Sequence, residues 1–278
     1  MKPVAFQTYD GRTLSGLLIT PAGVPQAACV LHSATGIHKE FYIKFATWMA
    51  GEQNIAMLLY DYRDFGASLE GHIKDSDASM SDWGVKDQSA ALDFLIGQYP
   101  DTEIWAIGHS LGGLFFNAHQ QSDKVKRAVG VAAGANYWTQ NPARIMPLIL
   151  ALWWGLGPIL TMAMGYLPAK TLGLGADLPK NVFWEWRKWC LSKAFYRPDY
   201  GRELPAEKGL KHPENVKLIS VESDYIITAQ MVKRMREFYT GSNIEYHHLL
   251  LNEVGAKKIG HIDIFRERNK KAWPLIIK

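Results

Sequence analysis

The sequence is poor in cysteine. Only Cys29 and Cys190 occur among 278 residues. They lie far apart and in no repeated spacing, which excludes a disulfide framework and a cysteine metal site. A reducing, cytoplasmic setting is the expectation. The segment Met1-Lys2-Pro3-Val4 lacks the long apolar run of a secretory signal. Dense Lys/Arg clusters are missing as well. The net charge of +4 is mildly basic and gives no expectation of a nucleic-acid partner. Internal repeats and low-complexity stretches are absent. Charge itself is missing from Ile145 to Ala169. By length that stretch could span a bilayer. However, Pro147, Gly155, Gly157, Pro158, Gly165 and Pro168 interrupt it, and no basic cluster anchors its ends. Short apolar helices are the better expectation.

What is present is a large apolar content. Hydrophobic residues make up 47 % of the chain and charged residues 21 %, enough to bury a sizeable core. The chain alternates strand-like and helix-like runs. Val4–Thr8 and Thr13–Thr20 flank Asp10-Gly11, a hairpin signal. Ala27–Leu31 and Ile55–Tyr60 are short continuous apolar runs, as in strands buried on both faces. Between them, Glu40–Gly51 carries Phe41, Phe45 and Trp48 on one helical face, with Gly51 as the stop. Ser81-Asp82 caps a helix to Gln98. Strand Ile104–Ile107, a helix-compatible run Leu111–Gln120 and strand Val125–Ala133 follow. Such alternation implies a mainly parallel sheet with helices on both faces, and a ligand site at the carboxyl ends of its strands.

The pattern stops at about residue 137 and resumes at about 213. Strands Val216–Glu222 and Asn243–Leu251 then enclose a helix, Ala229–Tyr239, and a terminal helix opens near Gly260. The expected organisation is therefore a core of residues 1–136 and 213–278 with a helical lid, 137–212, inserted between them. Six of the ten tryptophans fall in the insertion: Trp138, Trp153, Trp154, Trp184, Trp186 and Trp189. Asn181–Phe195 is the expected aromatic lid helix. An apolar substrate pocket, extra core helices and peripheral contact with lipid all fit this composition.

The chemistry centres on Gly108-His109-Ser110-Leu111-Gly112, a G-x-S-x-G sequence between a strand and a helix-compatible run. A serine on that sharp turn is exposed above the sheet, and the glycines leave room for the turn. Serine is a weak nucleophile without a base, and the base needs a third group to hold its tautomer. Asp224 and His261 both follow predicted strands, in the order Ser…Asp…His. Glu222, His247 and His248 are rivals, but they fall within predicted strands. His32 at the end of Ala27–Leu31 reads as structural. The small residues Ser33 to Gly36 make a plausible anion cradle. Asp61 to Ser68 reads as a turn pinned by an Arg–Asp pair.

These residues resemble the α/β-hydrolase fold serine hydrolases, most of all bacterial esterase/lipase-like and monoacylglycerol-lipase-like members. The resemblance covers nearly the whole chain apart from the lid. It rests on the Gly108–Gly113 elbow, the turn Asp61–Gly66 with Ser68, Asp224 in Ser-Asp-Tyr, and Gly260-His261. Two departures stand out. Asp64 replaces the first glycine of the family's R-G-x-G turn. Ser33 replaces the glycine of its H-G-x-x-G loop, here His32-Ser33-Ala34-Thr35-Gly36.

The resemblance implies an oxyanion hole from the Leu111 N–H and an early-loop N–H, with Ala34 first and Ser33 next. It implies hydrolysis of a small-molecule acyl ester through an acyl-enzyme, with no metal or organic cofactor. Activity should fall on the acid side as His261 protonates. Thioester cleavage, acyl transfer and receptor-like ligand binding on the same fold are the alternatives.

Overall fold

The computed structural model describes all 278 residues. Eight strands form one sheet: β1 (Lys2–Gln7), β2 (Thr13–Ile19), β3 (Ala27–His32), β4 (Ile55–Tyr60), β5 (Glu103–His109), β6 (Val125–Val131), β7 (Asn215–Val221) and β8 (Asn243–Leu249). Their spatial order is β1-β2-β4-β3-β5-β6-β7-β8. Only β1–β2 and β2–β4 pair antiparallel; every other neighbour is parallel. Gly11, at φ +85°, makes the β1–β2 turn that Asp-Gly announces.

The two-residue alternation along each strand sorts side chains between two cores. Ala28, Val30, Leu58 and Tyr60 face one side, under α2 (Gln88–Gln98) and α6 (Ala229–Arg234). Cys29, Leu31, Met57 and Leu59 face the other, under α1 (Ile43–Gln53) and α7 (Trp273–Ile277). The helix α1 runs two residues past Gly51 and stops at Asn54, which takes the left-handed φ of +53°. Asparagine tolerates that conformation because its short polar side chain can hydrogen-bond locally.

The helix expected over Leu111–Gln120 does not form. A 3₁₀ turn, Ser110–Gly113, gives way to irregular turns. The carbonyls of Gly113 and Leu114 accept from the hydroxyls of Tyr239 and Tyr196. Asn117 Nδ2 donates to the Phe238 carbonyl at 2.7 Å. Tertiary partners thus stand where the donors of a helix ladder would. The terminal segment likewise makes two 3₁₀ turns, Asp263–Phe265 and Glu267–Ala272, before the short α7.

The insertion carries α3 (Met146–Trp154), α4 (Leu156–Met164), a two-residue antiparallel pair (Tyr166–Leu167 with Leu178–Pro179) and α5 (Lys180–Leu191). The uncharged stretch is broken at Gly155 (φ −110°, ψ −109°) into two nine-residue helices. Each is about 13 Å long, less than half a bilayer core, although the 22 residues Ala143–Met164 taken together are long and apolar enough to cross one by length and composition alone. Trp153 and Trp189 are fully buried, Trp153 against Phe183 and Trp186. Trp154 remains largely exposed. The insertion is joined to the core at several points. Glu185 accepts the Ser81 N–H at 2.7 Å, and Ala176 N–H donates to the Gly36 carbonyl at 2.8 Å.

Candidate active site

Strand β5 delivers Ser110 onto a turn with φ +53°. A non-glycine residue there costs about 1–2 kcal/mol, so the surroundings must over-determine it. They do so by close backbone approach. A Cβ on Gly112 would lie 2.0 Å from the His32 carbonyl oxygen, and one on Gly108 would lie 2.3 Å from the Gly112 oxygen. The elbow and the end of β3 therefore touch, which only glycine permits.

Asp224 follows β7 and His261 lies in the loop after β8. The structure brings them to Ser110. Ser110 Oγ is 3.0 Å from His261 Nε2, and His261 Nδ1 is 2.7 Å from Asp224 Oδ2. The Asp224 side chain is fully buried. Its other oxygen accepts the backbone N–H groups of Ile226 and Ile227 at 2.9 and 3.1 Å. A carboxylate held this way accepts from Nδ1–H, which leaves Nε2 bare and facing the serine hydroxyl.

Sequence reasoning passed over Ser223. Its hydroxyl donates to the Ile259 carbonyl and accepts the Ile259 N–H, both at 2.8 Å. It locks the loop of Asp224 to the loop of His261. Its place in Ser-Asp-Tyr after a strand was the available signal.

The rivals lie elsewhere. Glu222, just past the end of β7, accepts the Leu251 N–H at 2.7 Å. His248 is 2.7 Å from Ser220 Oγ, and His247 is 3.3 Å from Glu253. His32 is buried with Nδ1 2.7 Å from Tyr60 Oη; burial and the neighbouring His119 hold its pKa well below the ordinary value. It is a structural histidine.

The oxyanion expectation needs one correction. Ala34 does not offer its N–H to Ser110, because that group donates to Tyr42 Oη at 3.0 Å. The Ser33 N–H has no protein acceptor. Leu111 lies in the first turn of the 3₁₀ segment, where N–H groups have no carbonyl of their own turn to bond.

The turn after β4 is structural and held by more than one pair. Arg63 binds Asp87 at 2.7 Å and Asp10 at 2.7 Å. Asp64, in the place of the family's glycine, adopts φ +54° and accepts the Ser76 hydroxyl at 2.7 Å. Aspartate is one of the few residues that tolerates this. His38, Glu40 and Asp61 lie close enough to share a cation. The Lys39 ammonium fills that role, 2.6 Å from Asp61 and 3.2 Å from Glu40.

Residues 23–181, more than half of the chain, match the family model described as serine aminopeptidase, S33. No curated protein sequence matches the chain. Among solved structures, a carboxyl esterase from Bacillus coagulans superposes with a TM-score of 0.61 at 13 % identity, covering 99 % of this chain and 97 % of that one. An esterase from Pyrococcus furiosus gives 0.60 at 15 %, covering 99 % and 88 %. A serine hydrolase from Xanthomonas campestris, described as having no lid, gives 0.56 at 12 %, covering 99 % and 93 %.

Proposed function

The chain belongs to the serine aminopeptidase S33 family of α/β hydrolases, and from that premise we propose that it hydrolyses carboxylic esters with a mostly apolar acyl part. The observation that carries this is the continuous Ser110–His261–Asp224 hydrogen-bond line, 3.0 and 2.7 Å long. In the proposed reaction His261 Nε2 takes the Ser110 proton as Oγ attacks the ester carbonyl carbon. The tetrahedral oxyanion is held by the N–H of Leu111 and, in place of Ala34, the N–H of Ser33. His261 then returns its proton to the leaving alcohol. Water, deprotonated by the same nitrogen, releases the acid and restores Ser110. Asp224 stays ionised and stabilises the imidazolium.

The apolar acyl preference is supported by the aromatic insertion, which meets the early loop through Ala176 and Gly36. The same insertion exposes Leu148, Leu150, Leu156, Ile159 and Met162 on α3 and α4. Arg144 and Lys170 are exposed at the two ends of the uncharged stretch. We therefore extend the proposal to peripheral contact with an anionic lipid surface, from which an apolar ester would be drawn.

Hydrolysis of p-nitrophenyl esters from acetate to palmitate tests the chemistry. Turnover should peak at one chain length and vanish in Ser110→Ala. Full turnover in Ser110→Ala would sink the mechanism. Faster cleavage of acyl-CoA or of an aminoacyl p-nitroanilide than of any ester would reassign the substrate while keeping the nucleophile.

A further inference from the structure

Behind the line of Ser110, His261 and Asp224 runs a second hydrogen-bonded line. The Ala34 N–H donates to Tyr42 Oη at 3.0 Å. Tyr42 Oη lies 2.8 Å from His109 Nδ1, and His109 Nε2 lies 3.0 Å from the carbonyl oxygen of His261. The directions are determined. A carbonyl only accepts, so His109 Nε2 carries the hydrogen. A neutral imidazole then has a bare Nδ1, which accepts. The Tyr42 hydroxyl is its donor, and the Tyr42 oxygen is left to accept from Ala34. Each polar atom in the line is satisfied, and reversing any one bond would leave two donors or two acceptors facing each other.

The line is dry. Tyr42 and His109 are both 0 % exposed. Burial first, and then the neighbouring His261, push the His109 pKa down to about 3. His109 therefore stays neutral while the adjacent ring, 5.4 Å away between centroids, takes and gives its proton. Phe265, four residues after His261, packs on the rings of His109 and Tyr42 at 4.9 and 5.2 Å.

We propose that His109 and Tyr42 are positioning residues that hold the backbone of the base in register with the strand end carrying Ser110 and with the early oxyanion loop. This rests on Ser110 and His261 being nucleophile and base. His261 needs such a tether because it sits in a loop, not on a strand. Its flanking turn is closed by Gly260 N–H to Asp263 Oδ2 at 3.2 Å and Asp263 N–H to the Gly260 carbonyl at 3.0 Å. Those bonds fix the turn's shape but not its distance from the elbow. His109 bridges that gap because it is the residue immediately before the nucleophile.

The test uses the purified full chain. His109→Ala removes the tether while His261 and Ser110 keep their chemistry. The expected result is a loss in kcat of about 10- to 100-fold with KM changed by less than about twofold. His109→Gln, whose amide N–H₂ reaches to about the same point as Nε2, should recover much of it. Tyr42→Phe should fall between them. A merely structural role would lower the melting temperature of His109→Ala and leave the kcat of the folded enzyme alone. That outcome overturns the proposal.

A measurement without variants guards against misfolding. With ¹⁵N-labelled histidine, the proposal requires His109 to be the Nε2–H tautomer, unchanged from pH 8 to pH 5. An Nδ1–H tautomer or a titrating His109 overturns it. Ser110→Ala separates the two levels: if it stays active, the underlying triad reading fails. If it is inactive while His109→Ala turns over normally, only the positioning proposal fails.

Discussion

Asp224 illustrates how narrow the chemical tolerance of single residues is here. One carboxylate oxygen accepts two backbone N–H groups, from Ile226 and Ile227, and the other accepts from His261 Nδ1. In Asp224→Asn the amide oxygen must stay on the two N–H donors. The NH₂ group then faces His261 and forces Nδ1 to accept, which places the hydrogen on Nε2, against the serine hydroxyl. The fold should survive, while kcat falls by about 10⁴. Steady-state kinetics beside a thermal melt checks this, and a loss under tenfold would contradict it. Ser33 and Ala34 show the limit of motif transfer. The position of the His32–Gly36 loop at the end of β3 was legible, but which of its N–H groups is free depends on Tyr42, a residue of another element.

Among the elements, buried strands were the most legible. β3 and β4 have all six residues buried, and a continuous apolar run needs no partner information to be recognised. The helix expected after the elbow failed for a physical reason. Its carbonyls bond hydroxyls that lie 82 and 126 residues away in sequence, and no local pattern encodes such partners.

The apolar helices α3 and α4 were foreseen as short helices, but not which face they expose. Met162 is 76 % and Ile159 61 % exposed, an apolar surface of the kind that marks an interaction site. The lipid proposal predicts that the chain sediments with anionic vesicles and less with zwitterionic ones. Ile159→Asp with Met162→Asp should abolish sedimentation while leaving hydrolysis of a soluble short ester intact. Equal sedimentation of both forms would refute the contact.

For the molecule as a whole, the histidines set a pH limit. His32, His109 and His119 are buried and neutral; burial holds His32 well below its ordinary value and pushes the other two down to about 3. In the unfolded chain each regains the ordinary value of 6.5. As pH falls below that value the unfolded chain takes up protons that the folded chain refuses, so stability present above it is lost. Asp87, which burial pushes up to about 7, and Glu185, raised by burial, run the other way. With His212 also lowered by burial, the histidines outnumber the two carboxyls, so stability should fall as pH drops below about 6.5. Urea unfolding at pH 7, 6 and 5 measures this directly, and a midpoint that rises on acidification would contradict the sign. Loss of activity in acid should therefore be read only where the chain is still folded.

The sequence by itself determined the fold class, the strand-and-helix alternation and the order Ser110, Asp224, His261. Each of these is a local signal: apolar period, glycine spacing, or a reactive residue just past a strand. Only the tertiary structure decided that the three meet within hydrogen-bond distance, that Ser223 joins their loops, and that the Ala34 N–H is already taken. It also decided that His109 reaches the backbone of His261. Hydrogen bonds between buried groups depend on which side chains the two cores bring face to face, and that pairing is a property of the packed sheet rather than of any stretch of chain.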